Sequence, residues 1–218
     1  MKLEKKLIIF DLDGTLIDTL KDLNNAVNYA LSKNGYETRS LEHTRKSIGD
    51  GVAMLIKRSV PEYLGDNQYR KTLDDFEAYY HIHSSDYTTA YTGMKDTIEY
   101  LKAKGYKLAV STNKIEDVAV SLIHRFYGNL FDTICGDNKI RAKKPAPDSI
   151  NEIMKRLGIT DKSKIVYIGD TEVDHRTADN AGVDSLIVTY GYRKQIELDK
   201  YAFDNVCINS PEDIKKFL

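Results

Sequence analysis

The chain has 218 residues, 41% of them hydrophobic and 30% charged, with a formal net charge of −1. That balance fits an ordinary soluble globular protein long enough to bury a core, and nothing electrostatic points to nucleic acid or an anionic membrane as a bulk partner. Cys135 and Cys207 stand far apart and in no paired motif, so no disulfide framework is implied and a reducing cytoplasm is the expected compartment.

The first apolar run, Leu7 to Phe10 (LIIF), is too short for a signal-peptide core or a membrane span. It reads instead as a strand buried on both faces, as in a parallel sheet. The next stretch, residues 16–88, contains no strand pattern. Leu20, Leu23, Val27, Ala30 and Leu31 recur at helical spacing, with Asp18 a candidate N-cap and Gly35 a candidate C-cap. Further helical patterns follow around Val52–Val60 and Tyr69–His81. A small all-helical cap is therefore expected at 16–88, inserted after the first strand of a core made of 1–15 and 89–218.

Alternation of strand and helix resumes after the insertion. The periodicity predicts a helix over Asp96–Lys104, a strand at Lys107–Val110 and a helix over Asp148–Leu157. It then predicts a strand at Ile165–Ile168, a helix over Asp174–Ala181 and a strand at Asp184–Thr189. This order predicts an α/β fold, a doubly wound, mainly parallel Rossmann-like sheet.

In such a sheet ligands bind beyond the carboxyl ends of the strands, so the polar segments there converge. FDLDGTLIDT places Asp11 and Asp13 about Leu12, with Gly14 permitting a sharp turn. Carboxylates this close repel unless a cation sits between them, and oxygen-only ligands suit Mg²⁺. STNK (Ser111–Lys114) offers a hydroxyl and backbone amides to an anion, although Ser, Thr and Asn are also ordinary N-caps. KKPAPD (Lys143–Asp148) offers a lysine able to neutralise a phosphate. GDTEVD places Asp170 at a strand end and Asp174 one helical turn later, where the first would complete a metal shell and the second orient it; the alternative for Asp170 is N-capping.

Taken in this order, the four segments resemble the motifs of the haloacid dehalogenase superfamily, and within it the phosphatases like phosphoglycolate phosphatase. FDLDGTLIDT looks like the first motif, STN the second, KPAP the third and GDTEVD the fourth. The resemblance implies Asp11 as nucleophile, forming an aspartyl-phosphate, and Asp13 as general acid and then base. It implies Mg²⁺ held by Asp11, Asp170 and the backbone carbonyl of Asp13, with Asp174 in support. Thr112, Lys144 and the amides from Leu12 onward would bind phosphoryl oxygens, with Ser111 and Asn113 beside them. Ser111 competes with Thr112, and Lys143 with Lys144; the family pattern favours Thr112 and Lys144. Asp13 itself excludes the dehalogenases, whose halide leaving group needs no proton.

In similar phosphatases an Arg-x-x-x-Gly-x-Gly-like segment of the cap faces the active site, and RKSIGDGV resembles it. Arg45 would meet a substrate carboxylate, with Gly49 and Gly51 allowing close approach. The expected partner is a small phosphorylated metabolite, with no nucleic acid and no membrane, and the expected assembly a monomer or weak homodimer. The alternatives are a β-phosphoglucomutase-like phosphotransferase and a pyrophosphatase with the same core.

Overall fold

A computed structural model describes residues 5–201 and 207–218. The chain divides into two compact units, one made of 1–18 and 90–218 and the other of 19–89.

The first unit is built on a parallel sheet. Its strands are β1 (Leu7–Phe10), β4 (Lys107–Ile115), β5 (Thr133–Asp137), β6 (Ile165–Gly169), β7 (Asp184–Val188) and the two-residue β8 (Cys207–Ile208). Two further short strands, β2 (Ile17–Asp18) and β3 (Thr89–Ala90), mark where the chain leaves and rejoins the sheet domain. The spatial order is β5-β4-β1-β6-β7-β8, and every neighbouring pair runs parallel. Phe10 stands in register with both Val110 and Ile168, so the carboxyl end of β1 lies level with Val110 of β4 and Ile168 of β6. The chain winds to one side of β1 through β4 and β5 and then to the other through β6 and β7. The crevice at that reversal is where a doubly wound sheet binds its ligand.

All four residues of β1 are fully buried. Leu7 and Ile9 share one face with Ala109, Cys135, Ile165 and Tyr167. They pack there on Ile150 and Ile153 of the helix Asp148–Leu157 and on Ala178 and Ala181 of the helix Glu172–Ala181. Two-sided burial is why β1 reads as a continuous apolar run, and each such side chain contributes roughly 1.5–3 kcal/mol relative to exposure.

The second unit carries α1 (Leu20–Lys33), α2 (Leu41–Ser47), α3 (Val52–Ser59) and α4 (Asp66–His83). Buried Asp22 ties the start of α1 to the end of the unit, accepting from the Tyr87 and Thr88 amides and from Thr88 Oγ1 at 2.7–3.1 Å. No helix of the described residues is long and apolar enough to cross a membrane.

Several local expectations are corrected. The α1 caps are Thr19 and Asn34, each one residue from the positions expected; Asp18 lies in β2, and Gly35 follows the cap with φ of 76°. The second polar segment lies within β4, which continues to Ile115 through a register irregularity between Ser111 and Ile115. The helix Glu116–Tyr127 of the first unit begins only after it, so Ser111, Thr112 and Asn113 are not its N-caps.

Candidate active site

Asp11 follows β1, and its amide continues the ladder by donating to the Ile168 carbonyl at 2.8 Å. The chain then turns tightly: the Leu12 carbonyl accepts from Thr15, Leu16 and Ile17, while the Leu12 side chain enters the core. Gly14 makes this possible. Its φ is 88°, and a Cβ there would stand 2.4 Å from Asp170 Oδ2. The turn on β1 and the acid on β6 thus approach closer than any side chain at position 14 allows.

Lys144 is the hub. Its ammonium lies 2.8 Å from Asp11 Oδ1, 2.7 Å from Asp174 Oδ1 and 3.0 Å from the Tyr167 hydroxyl, in a buried setting. Lys143 points elsewhere, to Asp137 at 2.7 Å with its side chain about a third exposed (35%), so the lysine in the acid cluster is Lys144. The main chain of Lys144 is gripped by Asn113, whose side chain accepts from Lys144 N at 2.8 Å and donates to Lys144 O at 3.1 Å. Asn113 is therefore a positioning residue.

Ser111 and Thr112 separate as clearly. Ser111 Oγ lies 2.7 Å from Ser149 Oγ on the helix Asp148–Leu157, away from the acids. The Thr112 hydroxyl accepts from the Lys114 amide at 3.2 Å, which leaves its own proton to donate.

Asp170 and Asp174 come from the segment after β6. Asp174 is the N3 residue of the helix Glu172–Ala181, and its Oδ2 accepts from the Asp170 and Thr171 amides and from Thr171 Oγ1 at 2.8–3.2 Å. Thr171 is the N-cap, so Asp170 is released from that role. Asp170 is fully buried and accepts from Tyr192 N at 2.7 Å and Thr15 Oγ1 at 3.3 Å.

Asp11, Asp170 and Asp174 each offer an oxygen within 4.8 Å of the others. Burial, then the Asp174 charge, push the Asp11 carboxyl up from 3.8 to about 7, against the opposing pull of Lys144. Burial and the charges of Asp174 and Asp11 likewise push Asp170 well above the ordinary carboxylate range. Desolvation opposes the charge on Lys144, but Asp11 and Asp174 overcome it and hold the ammonium well above its usual value. Asp11 Oδ1 is buried and receives no well-directed hydrogen bond even from Lys144. A cluster of hard, crowded oxygens with an undersatisfied atom fits a hard divalent cation such as Mg²⁺.

Asp13 does not join that cluster through its carboxylate. Both of its oxygens, at 2.7 and 3.0 Å, face the buried ammonium of Lys114. Only its backbone carbonyl is left to the role expected of it at a metal. Lys114 and Tyr167 are the site residues that local pattern does not reveal. The Tyr167 hydroxyl donates to the Ser111 carbonyl at 2.9 Å and lies 3.3 Å from Asp174 Oδ1, besides meeting Lys144.

Arg45, Gly49 and Gly51 lie in the second unit, where α2 passes into α3. Buried Arg45 sits in the last turn of α2, and its fork engages both oxygens of Glu42, at 2.8 and 2.9 Å. Gly51 is the N-cap of α3, with φ of 85°, and Gly49 has φ of 128°.

The model of the haloacid dehalogenase-like hydrolases matches residues 8–188, which include every acid and lysine of the site. The chain belongs to the haloacid dehalogenase-like hydrolase family. Among the relatives of this hydrolase, phosphoglycolate phosphatase of Aquifex aeolicus is 31% identical over 98% of the chain and 96% of its own length. The phosphoglycolate phosphatase of Aliivibrio fischeri is 33% identical over 86% of the chain and 85% of its own length. The crystal structure of a "predicted phosphoglycolate phosphatase" from Haemophilus somnus superposes with a TM-score of 0.89 at 30% identity, covering 98% of this chain and 97% of that one. This haloacid dehalogenase-like hydrolase is thus similar over most of its length to proteins named phosphoglycolate phosphatase, the branch that its four motifs resemble.

Proposed function

We propose that the enzyme is a Mg²⁺-dependent phosphatase that hydrolyses a small phosphate monoester, phosphoglycolate or a close analogue, through a phosphorylated Asp11. The observation that carries this reading is Asp11 set 2.8 Å from Lys144 in a buried carboxylate cluster, with Asp13 held separately two residues away.

Asp11, Asp170 and the Asp13 carbonyl would hold the cation, and Asp174 would support them. A bound divalent cation supplies charge neutralisation for the nucleophile and the phosphoryl oxygens. One carboxylate oxygen of Asp11 attacks phosphorus as the bond to the leaving oxygen breaks. Asp13 gives that oxygen a proton. A water molecule then attacks the aspartyl-phosphate, Asp13 takes its proton, and inorganic phosphate leaves with Asp11 restored. Lys144, Thr112 and the amide of Leu12 meet the phosphoryl oxygens, where fixed donors and charge contribute most to phosphoryl transfer.

Phosphate release from phosphoglycolate, a set of sugar phosphates and pyrophosphate, with Mg²⁺ and with EDTA, tests the proposal. Turnover of phosphoglycolate that EDTA abolishes is the expected result. Release from pyrophosphate alone, or isomerised sugar phosphate without release, would replace it with the pyrophosphatase or phosphomutase reading.

The raised Asp11 carboxyl predicts a pH signature. Its folded value, about 7, exceeds the ordinary 3.8, so the metal-free fold holds a proton that the unfolded chain has lost. Stability of the metal-free protein should therefore fall as pH rises from about 4 through 7, whereas a bound cation favours the ionised form. Melting in EDTA and in Mg²⁺ at pH 6 and pH 8 should show the larger Mg²⁺ increment at pH 8; equal increments would contradict it.

A further inference from the structure

We infer that Lys114 is a positioning residue that holds the Asp13 carboxyl in place for proton transfer to the leaving group. The inference rests on the role proposed above for Asp13.

A lysine ammonium is costly to bury, and a carboxyl partner offsets part of that cost. The Lys114 side chain is 3% exposed, and its Nζ meets Asp13 Oδ1 at 2.7 Å and Oδ2 at 3.0 Å. The Asp13 side chain is 14% exposed, so of the two it is the carboxylate that keeps an edge open. The two partners come from different supports. Asp13 lies on the turn after β1, while Lys114 lies inside β4, its amide fixed by the Thr112 hydroxyl. Neighbouring Asn113 is fixed in turn by its two bonds to the Lys144 main chain. A carboxyl on a glycine-containing turn has two side-chain torsions to control, and a strand-borne cation controls both.

Proton transfer demands that control, because a general acid is effective only when its proton points at the reacting oxygen. When Asp13 is protonated the proton sits on Oδ2, whose 3.0 Å contact with Lys114 is the longer one, while the 2.7 Å contact with Oδ1 keeps the carboxyl oriented. That proton passes to the leaving oxygen as its bond to phosphorus breaks, and the attacking water later returns one to Asp13. Lys114 keeps its own proton throughout.

The test uses substrates that share a phosphoryl group but differ in leaving group. Alkyl phosphates such as phosphoglycolate and glycerol phosphate need a proton on the departing oxygen; p-nitrophenyl phosphate leaves as a stable phenolate. The measure is kcat/KM, which reports steps through transfer to Asp11 and omits the later water step. Lys114→Met should lower kcat/KM for the alkyl esters on the order of 10²-fold, the usual weight of a positioned acid, and for the p-nitrophenyl ester only about threefold. Lys114→Arg should recover part of the alkyl loss. Adding Lys114→Met to Asp13→Asn should cost little more than Asp13→Asn alone.

An equal loss on both ester classes would overturn the inference and place Lys114 on the phosphoryl group or in the fold. No loss on either would overturn it too. Loss of the ion pair should lower the Tm of Lys114→Met, but the increment that Mg²⁺ adds should match wild type, which separates misplacement of Asp13 from collapse of the site. If wild type turns over no ester, or Asp11→Asn turns over as fast as wild type, the mechanism itself falls; a selective effect at Lys114 cannot arise that way.

Discussion

Asp11→Asn should lower turnover on the order of 10⁴-fold or more while leaving the protein as stable as wild type, or more so. The amide matches the carboxylate in size but cannot attack phosphorus, so the covalent route closes without a cavity. Stability should not suffer because Asp11 is a buried charge crowded by Asp174, and burial has already pushed its carboxyl up to about 7. A neutral amide removes that repulsion and keeps a polar atom beside Lys144. Phosphate release and melting in EDTA, measured on one preparation, check both halves. A variant within tenfold of wild type would remove Asp11 from the nucleophile's place.

Lys144→Met should damage both properties. It strips the cation from a site where Asp11 and Asp174 both lie within 2.8 Å of Nζ, leaving two buried carboxylates and the Tyr167 hydroxyl without it. Removing one partner of a buried ion pair costs about 3–5 kcal/mol, which for a chain of this size lowers Tm by roughly 10 °C. Loss of a fixed charge at the phosphoryl group lowers kcat by about 10²–10³-fold. Mg²⁺ should return part of the lost Tm, because it neutralises the same carboxylates. Lys143→Met is the control. Its partly exposed pair with Asp137 is worth about 1 kcal/mol or less, and turnover should change little. Were the two variants to exchange behaviour in solution, the assignment of the site lysine would be reversed.

The frame of the fold was legible because its central strands are buried on both faces. β1, β6 and β7 announce themselves as apolar runs, and so does the first half of β4. β5 did not, because TICGD at the sheet's edge buries only Cys135 and Gly136. α2 is only seven residues long and polar, and the helix Glu116–Tyr127 has no side-chain cap bond at its start and follows directly on β4, so neither stood out. The acids were legible for a different reason: closely spaced carboxylates at strand ends have few uses other than chemistry. What local spacing could not supply was the pairing between loops. Lys114 read as the tail of a motif, yet its partner stands 101 residues earlier in the chain. Tyr167 read as one more apolar residue of IVYI, and only the sheet order brings its hydroxyl to Ser111, Lys144 and Asp174.

That hydroxyl has a consequence for how the sequence can drift. It meets three segments, one within β4 and those after β5 and β6, so none of them can change its geometry there without the others registering it. A phenylalanine at 167 would free the Ser111 carbonyl and loosen Lys144 together. Substitutions at Lys144, Tyr167 and Asp174 should accordingly show strong epistasis, each one's tolerance set by the residues present at the other two. Homologous sequences should exchange these three as a set rather than one at a time.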